Sequence, residues 1–282
     1  MQPLQFAPEW KRFRDRLNGA PVLQWTSHPA MHHHFYFTNP TLSPDGRTGF
    51  FISYRTGYPN VFSIDLESGE LTQLTDRVDI NPFSPAPSRS SPMICFSARS
   101  SVWAVSSDTG ETAELCRFPP CRLGNCSLDA SGDWLAVSLR RPEHCQLAVV
   151  ETRTGRFEIV AEEPEIGHIQ FCPRDANLLL FSGPPDCRLW THDRTTGQTR
   201  AVYRQGADEW IVHESWLGAG DEIIFTHWPH ALRAIRPDGN GLRTVAAINA
   251  WHACSNRAGT QIVCDTNHPD HGLLLINPTA GR

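Results

Sequence analysis

Three histidines at a regular spacing are the residues of this sequence best suited to chemistry. His168, His213 and His252 lie in the segments GHIQF, VHESW and WHACS, at intervals of roughly 42 residues. A neutral imidazole can bind a divalent metal or accept a proton near neutral pH. A single histidine in a strand is more often a core or rim residue. Three at one position of a repeat favour a common site.

The repeat that carries them is marked by glycine turns. The turn segments are DLESGE at 65–70, SSDTGE at 106–111, ETRTGR at 151–156, DRTTGQ at 193–198, RPDGNG at 236–241 and NPTAGR at 277–282. Short alternating segments such as TGFFISY and NVFSID lie between them, which is typical of strands. Four strands per unit of about 42 residues predict β-propeller blades. The sequence therefore predicts an all-β chain that forms one propeller domain over residues 1–282.

The two ends of the chain fit the repeat less well. Trp10, Phe13 and Leu17 share a helical face, which predicts a short helix within an N-terminal cap at 1–20, with blades over 21–282. PVLQWT at 21–26 aligns with a fourth strand and is expected to complete the last blade. The sixth repeat reaches Arg282 within its glycine turn. Two interpretations stay open: a six-bladed ring, or a chain from a seven-bladed parent that lacks its C-terminal blade.

Composition excludes several classes of function. A formal net charge of −5 argues against general binding of nucleic acid or anionic membranes. The sequence has no run of about 18 apolar residues, so no membrane-spanning helix is predicted. The N-terminus lacks the apolar core of a signal peptide. Nine cysteines without a CxxC pair predict reduced thiols and a cytoplasmic protein. The sequence does not determine the oligomeric state.

The segment MHHHFYFTN at 31–39 is expected to enter the innermost strand of the first repeat. Alternation then places His32 and His34 on one side of that strand and His33 on the other. Arg188 and Trp228 lie in loops predicted to open on the same face. Arginine binds carboxylates through two hydrogen bonds, so a rim with basic and aromatic residues suits an acidic sugar.

Five segments together resemble the oligogalacturonate lyases, cytoplasmic lyases of pectin fragments that are built on a β-propeller. They are HHFYFTNPTLSPDG at 33–46, GHIQFCPRDANLLLF at 167–181, RLWTHD at 188–193, IVHESW at 211–216 and WHACSNRAGTQIVCDTNHPDHG at 251–272. They follow the family order over most of the chain. The SPDG segment is shared with many propellers, whereas VHESW and WHACS with RLW upstream are far more specific.

The resemblance implies metal-assisted β-elimination on short galacturonides such as digalacturonate, which yields a 4,5-unsaturated uronate. It implies His213 as the base and His252 as one ligand of a divalent metal, usually manganese. Arg188 is then expected to contact the substrate carboxylate. His168, His34 and Trp216 are expected to provide further contacts to the acidic oligosaccharide.

The sequence departs from that family at its end. The family has a further C-terminal blade with a glutamine and two histidines that complete the metal site, and this chain ends before such a motif, so the expected ligand set is incomplete. A second hypothesis is therefore a non-catalytic TolB- or WD-like propeller that binds acidic sugars or a protein partner. A hydrolase is poorly supported: Asp208 and Glu209 are adjacent and would point to opposite faces of a strand, and Glu214 follows a rim histidine without an acidic partner. No GxSxG segment occurs either.

Overall fold

The fold is all-β. A computed structural model describes residues 3–279, and these form 26 strands and no helix. Accordingly, none of the described residues forms a helix that could cross a membrane. Every strand pairing is antiparallel, and six sheets follow one another along the chain. The predicted β-propeller is confirmed.

The strands group into blades in chain order. The first sheet contains β1 (Leu4–Phe6), β4 (His32–His34), β5 (Thr48–Ser53), β6 (Asn60–Asp65) and β7 (Leu71–Gln73); the second contains β8 (Ala86–Pro87), β9 (Met93–Ala98), β10 (Ser101–Ser106) and β11 (Thr112–Arg117); the third contains β12 (Arg122–Leu128), β13 (Trp134–Arg140), β14 (Cys145–Glu151) and β15 (Phe157–Glu163). The fourth contains β16 (Gly167–Cys172), β17 (Asp175–Ser182), β18 (Leu189–Asp193) and β19 (Gln198–Tyr203); the fifth contains β20 (Trp210–Leu217), β21 (Glu222–Trp228), β22 (Ala231–Ile235) and β23 (Arg243–Ala246); the sixth contains β24 (Ala250–Ser255), β25 (Ile262–Thr266) and β26 (Leu274–Ile276).

The hydrophobic core lies between the blades. Five apolar clusters fill the successive interfaces from the first sheet to the sixth; the cluster between the first two sheets, for example, joins Phe35 and Ile52 to Phe96. Middle strands such as β6 are buried on both faces, because each sheet is covered on both sides by its neighbours. Between the sixth and first sheets lies a cavity of about 570 Å³, lined by residues that include Phe35, Phe37 and Cys264.

The glycine turns have the backbone geometry that the repeat requires. Gly69, Gly110, Gly155 and Gly197 all have φ between 69° and 81°, a region that disfavours residues with a Cβ. A Cβ on Gly155 would lie 2.0 Å from the carbonyl oxygen of Leu115. Gly281, which marks the sixth turn, lies outside the described residues.

The predicted N-terminal helix is wrong. Residues 11–24 form a hairpin in which β2 (Lys11–Arg14) pairs with β3 (Pro21–Gln24). Its turn is closed by the Asp15 carboxylate, which accepts hydrogen bonds from the backbone N–H groups of Leu17 and Asn18. Phe13 is 50% and Leu17 97% exposed, so the apolar stripe does not form one buried face. A helix of about ten residues is marginal alone, and strand pairing overrides its periodicity here.

The expectation that residues 21–26 complete the last blade is also wrong. Residues 21–24 belong to the hairpin, while Trp25 packs over Gly49 of the first sheet. The N-terminal strand that does extend a blade is β1, which pairs with β7 at the outer edge of the first sheet.

Candidate active site

Four innermost strands share a bulge near their beginning. The pairing register shifts between Leu123 and Cys126 in β12, Gly167 and Gln170 in β16, Val212 and Ser215 in β20, and Ala250 and Ala253 in β24. A bulge bends a strand and redirects its side chains. His168, His213 and His252 all lie in these bulges. His168 and His213 have φ of 47° and 53°, a left-handed conformation that is uncommon outside glycine and typical of functional sites.

The three histidines converge, as their spacing predicted, and Phe37 lies among them. The His168 and His213 ring centroids are 5.9 Å apart, and those of His213 and His252 are 4.2 Å apart. The Phe37 centroid lies 5.4 Å from His168, 5.5 Å from His213 and 5.3 Å from His252. We call these four residues the histidine cluster. It joins the fourth, fifth and sixth sheets to the chain that follows β4.

His213 is held as an unprotonated imidazole. Burial, together with repulsion from His252 and His168, lowers its pKa to about 3. Its Nδ1 atom is buried without a hydrogen-bond partner among the described residues. Such an orphaned polar atom is costly unless a ligand or water satisfies it. The imidazole is therefore free to accept a proton, and an anionic ligand beside it would raise its basicity.

Glu214, the next residue, organises the other side of the cluster. Its side chain has no exposed surface, and its Oε1 lies 2.9 Å from Nδ1 of His168. Because a carboxylate can only accept, Nδ1 of His168 carries the hydrogen. Nε2 of His168 therefore accepts a hydrogen bond from the Tyr36 hydroxyl at 2.9 Å. Nε of Arg188 lies 3.4 Å from Oε2 of Glu214.

These contacts determine the charge states of the group. Burial alone would raise the pKa of Glu214, but the interaction with His168, including its hydrogen bond, and the charge of Arg188 outweigh burial, so the pKa lies below its ordinary value. Burial and the Glu214 charge raise the pKa of Tyr36 to about 12. Glu214 is therefore a carboxylate and Tyr36 a protonated phenol, and hydrogen bonds connect the two through the ring of His168.

His252 is oriented by a different carboxylate. Its Nδ1 donates to Oδ2 of Asp265 at 2.9 Å, and its backbone N–H donates to Oδ1 at 2.6 Å. This pattern leaves Nε2 for a ligand and is common among histidines that bind metals. Residues 3–279 contain no group of three or more His, Cys, Asp or Glu side chains placed to hold a metal ion. His252 thus fits one ligand position, but the described residues do not form a metal site.

Three tryptophans form a wall beside His213. Trp210, Trp228 and Trp251 meet edge to face, with centroids 5.0 to 6.0 Å apart. The Trp251 ring lies 4.6 Å from the His213 ring. Trp210 is 49% exposed, so this wall presents an aromatic surface to solvent next to the histidine cluster. We call these three residues the tryptophan wall.

Other predicted site residues fall in different places. Arg188 is only 14% exposed and lies against Glu214 and His168, next to the histidine cluster. His34 lines the cavity between the sixth and first sheets together with His252, without a ring contact to the cluster. Trp216 requires a correction. It is 7% exposed and packs in the core between the fourth and fifth sheets, where its Nε1 donates to the Gln170 carbonyl, so it has no face for a sugar.

Several site residues were missed by reasoning from the sequence. Tyr36 and Phe37 were interpreted as a continuation of the strand, but β4 ends at His34 and the chain then turns toward the cluster. Glu214 was considered only as a possible hydrolase carboxylate. The signal for it was available, because VHES places a carboxylate beside a histidine of the repeat, but only the bulge directs both side chains inward. Asp265 lies on the adjacent strand β25 and had no sequence signal.

Comparison with known proteins identifies relatives of one kind. No protein-family model matches the chain. The oligogalacturonate lyase of Dickeya dadantii is 21% identical over 77% of this chain, and the oligogalacturonide lyase of Pectobacterium atrosepticum is 23% identical over 90% of it. The matches span 63% and 74% of the lengths of those two proteins.

Solved structures give the same result for the fold. An oligogalacturonate lyase in complex with manganese superimposes with a TM-score of 0.90 at 21% identity, covering all of this chain and 84% of its own. An oligogalacturonate lyase from Vibrio parahaemolyticus gives a TM-score of 0.87 at 18% identity, covering all of this chain and 85% of its own. The resemblance inferred from the motifs is confirmed.

Proposed function

We propose that this chain, a relative of the oligogalacturonate lyases, cleaves short galacturonides by β-elimination. The observation that supports the proposal best is the state of His213. It is an unprotonated imidazole with an unsatisfied buried nitrogen, and it lies between two other histidines, of which His168 lines a cavity together with Arg188. A general base must be unprotonated before it removes a proton, and an anionic substrate beside His213 would raise its pKa toward the working pH, where a base is most effective.

The reaction would use the described residues as follows. The proton on C5 of a uronate is α to the carboxylate and becomes more acidic when that carboxylate is neutralised. Arg188, fixed against Glu214, would bind the carboxylate. His213 would take the C5 proton, the C4–O4 bond would break, and a double bond would form between C4 and C5. The departing O4 would gain a proton from water, and the protonated His213 would release the C5 proton to solvent.

The tryptophan wall fits a sugar ring at the same place. Aromatic faces cover the apolar face of a pyranose, and Trp210 offers exposed ring surface beside His213. Digalacturonate is the substrate we expect first.

The proposal includes a divalent cation, manganese above all, but only as an ion bound by His252. His252 would supply one ligand through Nε2, since Asp265 already holds Nδ1. A bound cation would neutralise the substrate carboxylate as Arg188 does. Because the described residues do not complete a ligand set, we assign no step of the reaction to the metal.

A cytoplasmic location also stays a proposal. All nine cysteines are free thiols and six are buried, which is consistent with a reducing compartment.

A direct assay tests the proposed reaction. The purified chain is incubated with digalacturonate, with manganese or with a chelator, while the absorbance of the unsaturated product is followed. We expect turnover that falls about 10²–10⁴-fold in His213→Ala, the range typical of a lost general base. Circular dichroism on the variant establishes that the propeller remains folded.

Two outcomes would reject the proposal. Full activity in His213→Ala would remove His213 as the base. Binding of digalacturonate without any product would instead support the alternative, a propeller that binds acidic sugars without cleaving them.

A further inference from the structure

Two arginines on the third sheet face each other directly. Arg122 begins β12 and Arg140 ends β13, and the two are partners in the strand register. Both side chains are exposed. Directly opposite residues of an antiparallel pair have Cβ atoms about 5 Å apart, and like charges in that position are destabilising. Nothing in the strand pairing itself requires two guanidinium groups here.

Neither arginine has a counter-ion within the described part of the chain. No hydrogen bond or ion pair of residues 3–279 involves the side chain of Arg122 or Arg140. The neighbouring Arg141 shows the contrast, since its Nε donates to Gln146 and its Nη1 donates to the carbonyl of Pro120. Two adjacent guanidinium forks are therefore left with their donors available.

Both arginines line a cavity that reaches the histidine cluster. The cavity has a volume of about 530 Å³, and its lining also includes Tyr36, His168 and Arg188. The same lining contains one carboxylate, Glu165. Arg188 is paired with Glu214, so the balance of the cavity rests on Arg122 and Arg140 against Glu165, which leaves it locally basic although the whole chain carries a formal charge of −5. A ligand drawn into it would be an anion.

The position of Arg122 in the fold connects it to the candidate site. Arg122 immediately precedes Leu123, where the β12 bulge begins. That bulge is equivalent to the bulges that carry His168 and His213 on the next two sheets. Arg122 therefore stands at the same end of its inner strand as the histidines do of theirs.

We propose that Arg122 and Arg140 form a second carboxylate-binding subsite, which holds a further uronate residue of an acidic oligosaccharide whose reacting residue lies at the histidine cluster. The proposal rests on the proposed function for the identity of the ligand. An oligogalacturonide carries one carboxylate per sugar, so a chain in this cavity brings a second anion to the arginine pair. Planar guanidinium groups bind carboxylates through two parallel hydrogen bonds, and a bound carboxylate relieves the repulsion between them.

Binding measured without turnover tests the subsite. Arg122→Gln and Arg140→Gln are each made in a His213→Ala background, and calorimetry measures the Kd for galacturonate, digalacturonate and trigalacturonate. We expect each substitution to weaken binding of the longest ligand about 10-fold, as for a lost charge-assisted hydrogen bond, and to leave the monomer unaffected. Arg153→Gln is the matched control, because Arg153 is an exposed arginine of the same sheet in a glycine turn away from the cavity.

Three further readings decide the outcome. Arg122→Lys keeps the charge without the planar fork, and we expect it to restore only part of the affinity. Methyl-esterified trigalacturonate lacks the carboxylates and should bind wild type and Arg140→Gln equally. Thermal unfolding should show no loss of stability in the glutamine variants, because they remove a like-charge contact.

The result separates this inference from the proposed function. Length-dependent binding lost in both glutamine variants supports the subsite even if the active chain releases no product, in which case only the lyase proposal fails. Equal Kd values for trigalacturonate in both glutamine variants and in the Arg153→Gln control would overturn the subsite, whether or not the chain is a lyase.

Discussion

Nδ1 of His168 donates a 2.9 Å hydrogen bond to Glu214, a carboxylate with no exposed surface on the neighbouring blade. The bond fixes which nitrogen of His168 carries the hydrogen and thereby fixes the Tyr36 hydroxyl on the other side of the ring. A buried charge with partners on two sheets is costly to change, because each partner would be left unsatisfied.

Replacing Glu214 by glutamine is expected to lower kcat about 10–100-fold, the range found for residues that orient a functional histidine. The amide keeps the shape of the side chain but loses the charge that holds Arg188 and the His168 hydrogen. The measurement is kcat and KM for digalacturonate across pH, since a loss of orientation also shifts the pH profile. Glu70→Gln, at an exposed turn, is the control. A wild-type kcat with an unchanged profile in Glu214→Gln would show that this carboxylate is only structural.

His213 predicts a pH dependence of stability. Its pKa is lowered to about 3 in the folded state, against 6.5 ordinarily. Below pH 6.5 the unfolded chain therefore takes up a proton that the folded chain does not, and stability falls as pH falls toward 3. Between pH 7 and pH 5 this group should cost on the order of 1–2 kcal/mol.

Urea unfolding of wild type and His213→Gln at both pH values measures that cost. We expect the variant to lose less free energy of unfolding than wild type between pH 7 and pH 5. His271→Gln, which removes an exposed histidine, should behave like wild type. Identical losses in wild type and His213→Gln would contradict the buried, unprotonated state of this imidazole.

Trp210→Ala should weaken substrate binding rather than chemistry. The ring is the exposed member of the tryptophan wall, so its removal deletes stacking surface while His213 keeps its ring contact with Trp251. A loss of about 1 kcal/mol corresponds to a KM roughly 5-fold higher with kcat nearly unchanged. Trp210→Tyr should retain most of the affinity. Phe157→Ala removes an exposed aromatic ring of the third sheet and should leave KM as it is; a change in kcat alone for Trp210→Ala would argue against stacking.

Manganese should bind this chain weakly. Within residues 3–279 the structure provides one aligned imidazole, on His252, and no set of three ligands. A single histidine holds a divalent cation poorly, so paramagnetic resonance at equal concentrations of metal and protein should show mostly free manganese. Asp265→Asn should weaken the residual binding further, because His252 loses its fixed tautomer. Tight, stoichiometric binding would mean that other side chains complete the site.

The sequence predicted those features that follow directly from the position of a residue within the repeat. The glycine turns located the blades, and the shared position of His168, His213 and His252 predicted that they would meet. Both inferences rely only on the fact that equal positions in a propeller repeat have equal radius and height. They required no knowledge of side-chain packing.

The misses share a physical cause, which is that tertiary contacts overrode local patterns. Trp10, Phe13 and Leu17 had helical spacing, yet the segment gains more by pairing as a hairpin than a lone helix could. Trp216 follows a histidine of the repeat and was expected at the rim, but its side chain points into the interface between the fourth and fifth sheets. Phe37 reaches the histidines across interfaces between sheets, and no spacing within one repeat encodes such a contact. Asp265 meets His252 from the adjacent strand of the same sheet, beside the bulge that shifts the register of that pair.

The position of Phe37 among the three histidines has a consequence for when the histidine cluster can form during synthesis on the ribosome. Phe37 is translated early, whereas His168, His213 and His252 follow one blade at a time, and His252 is the last to arrive. A nascent chain can fold its first blades long before the aromatic ring finds all three imidazoles. The complete histidine cluster can therefore form only after the sixth sheet has been made, and a chain that ends before His252 lacks one of its four rings.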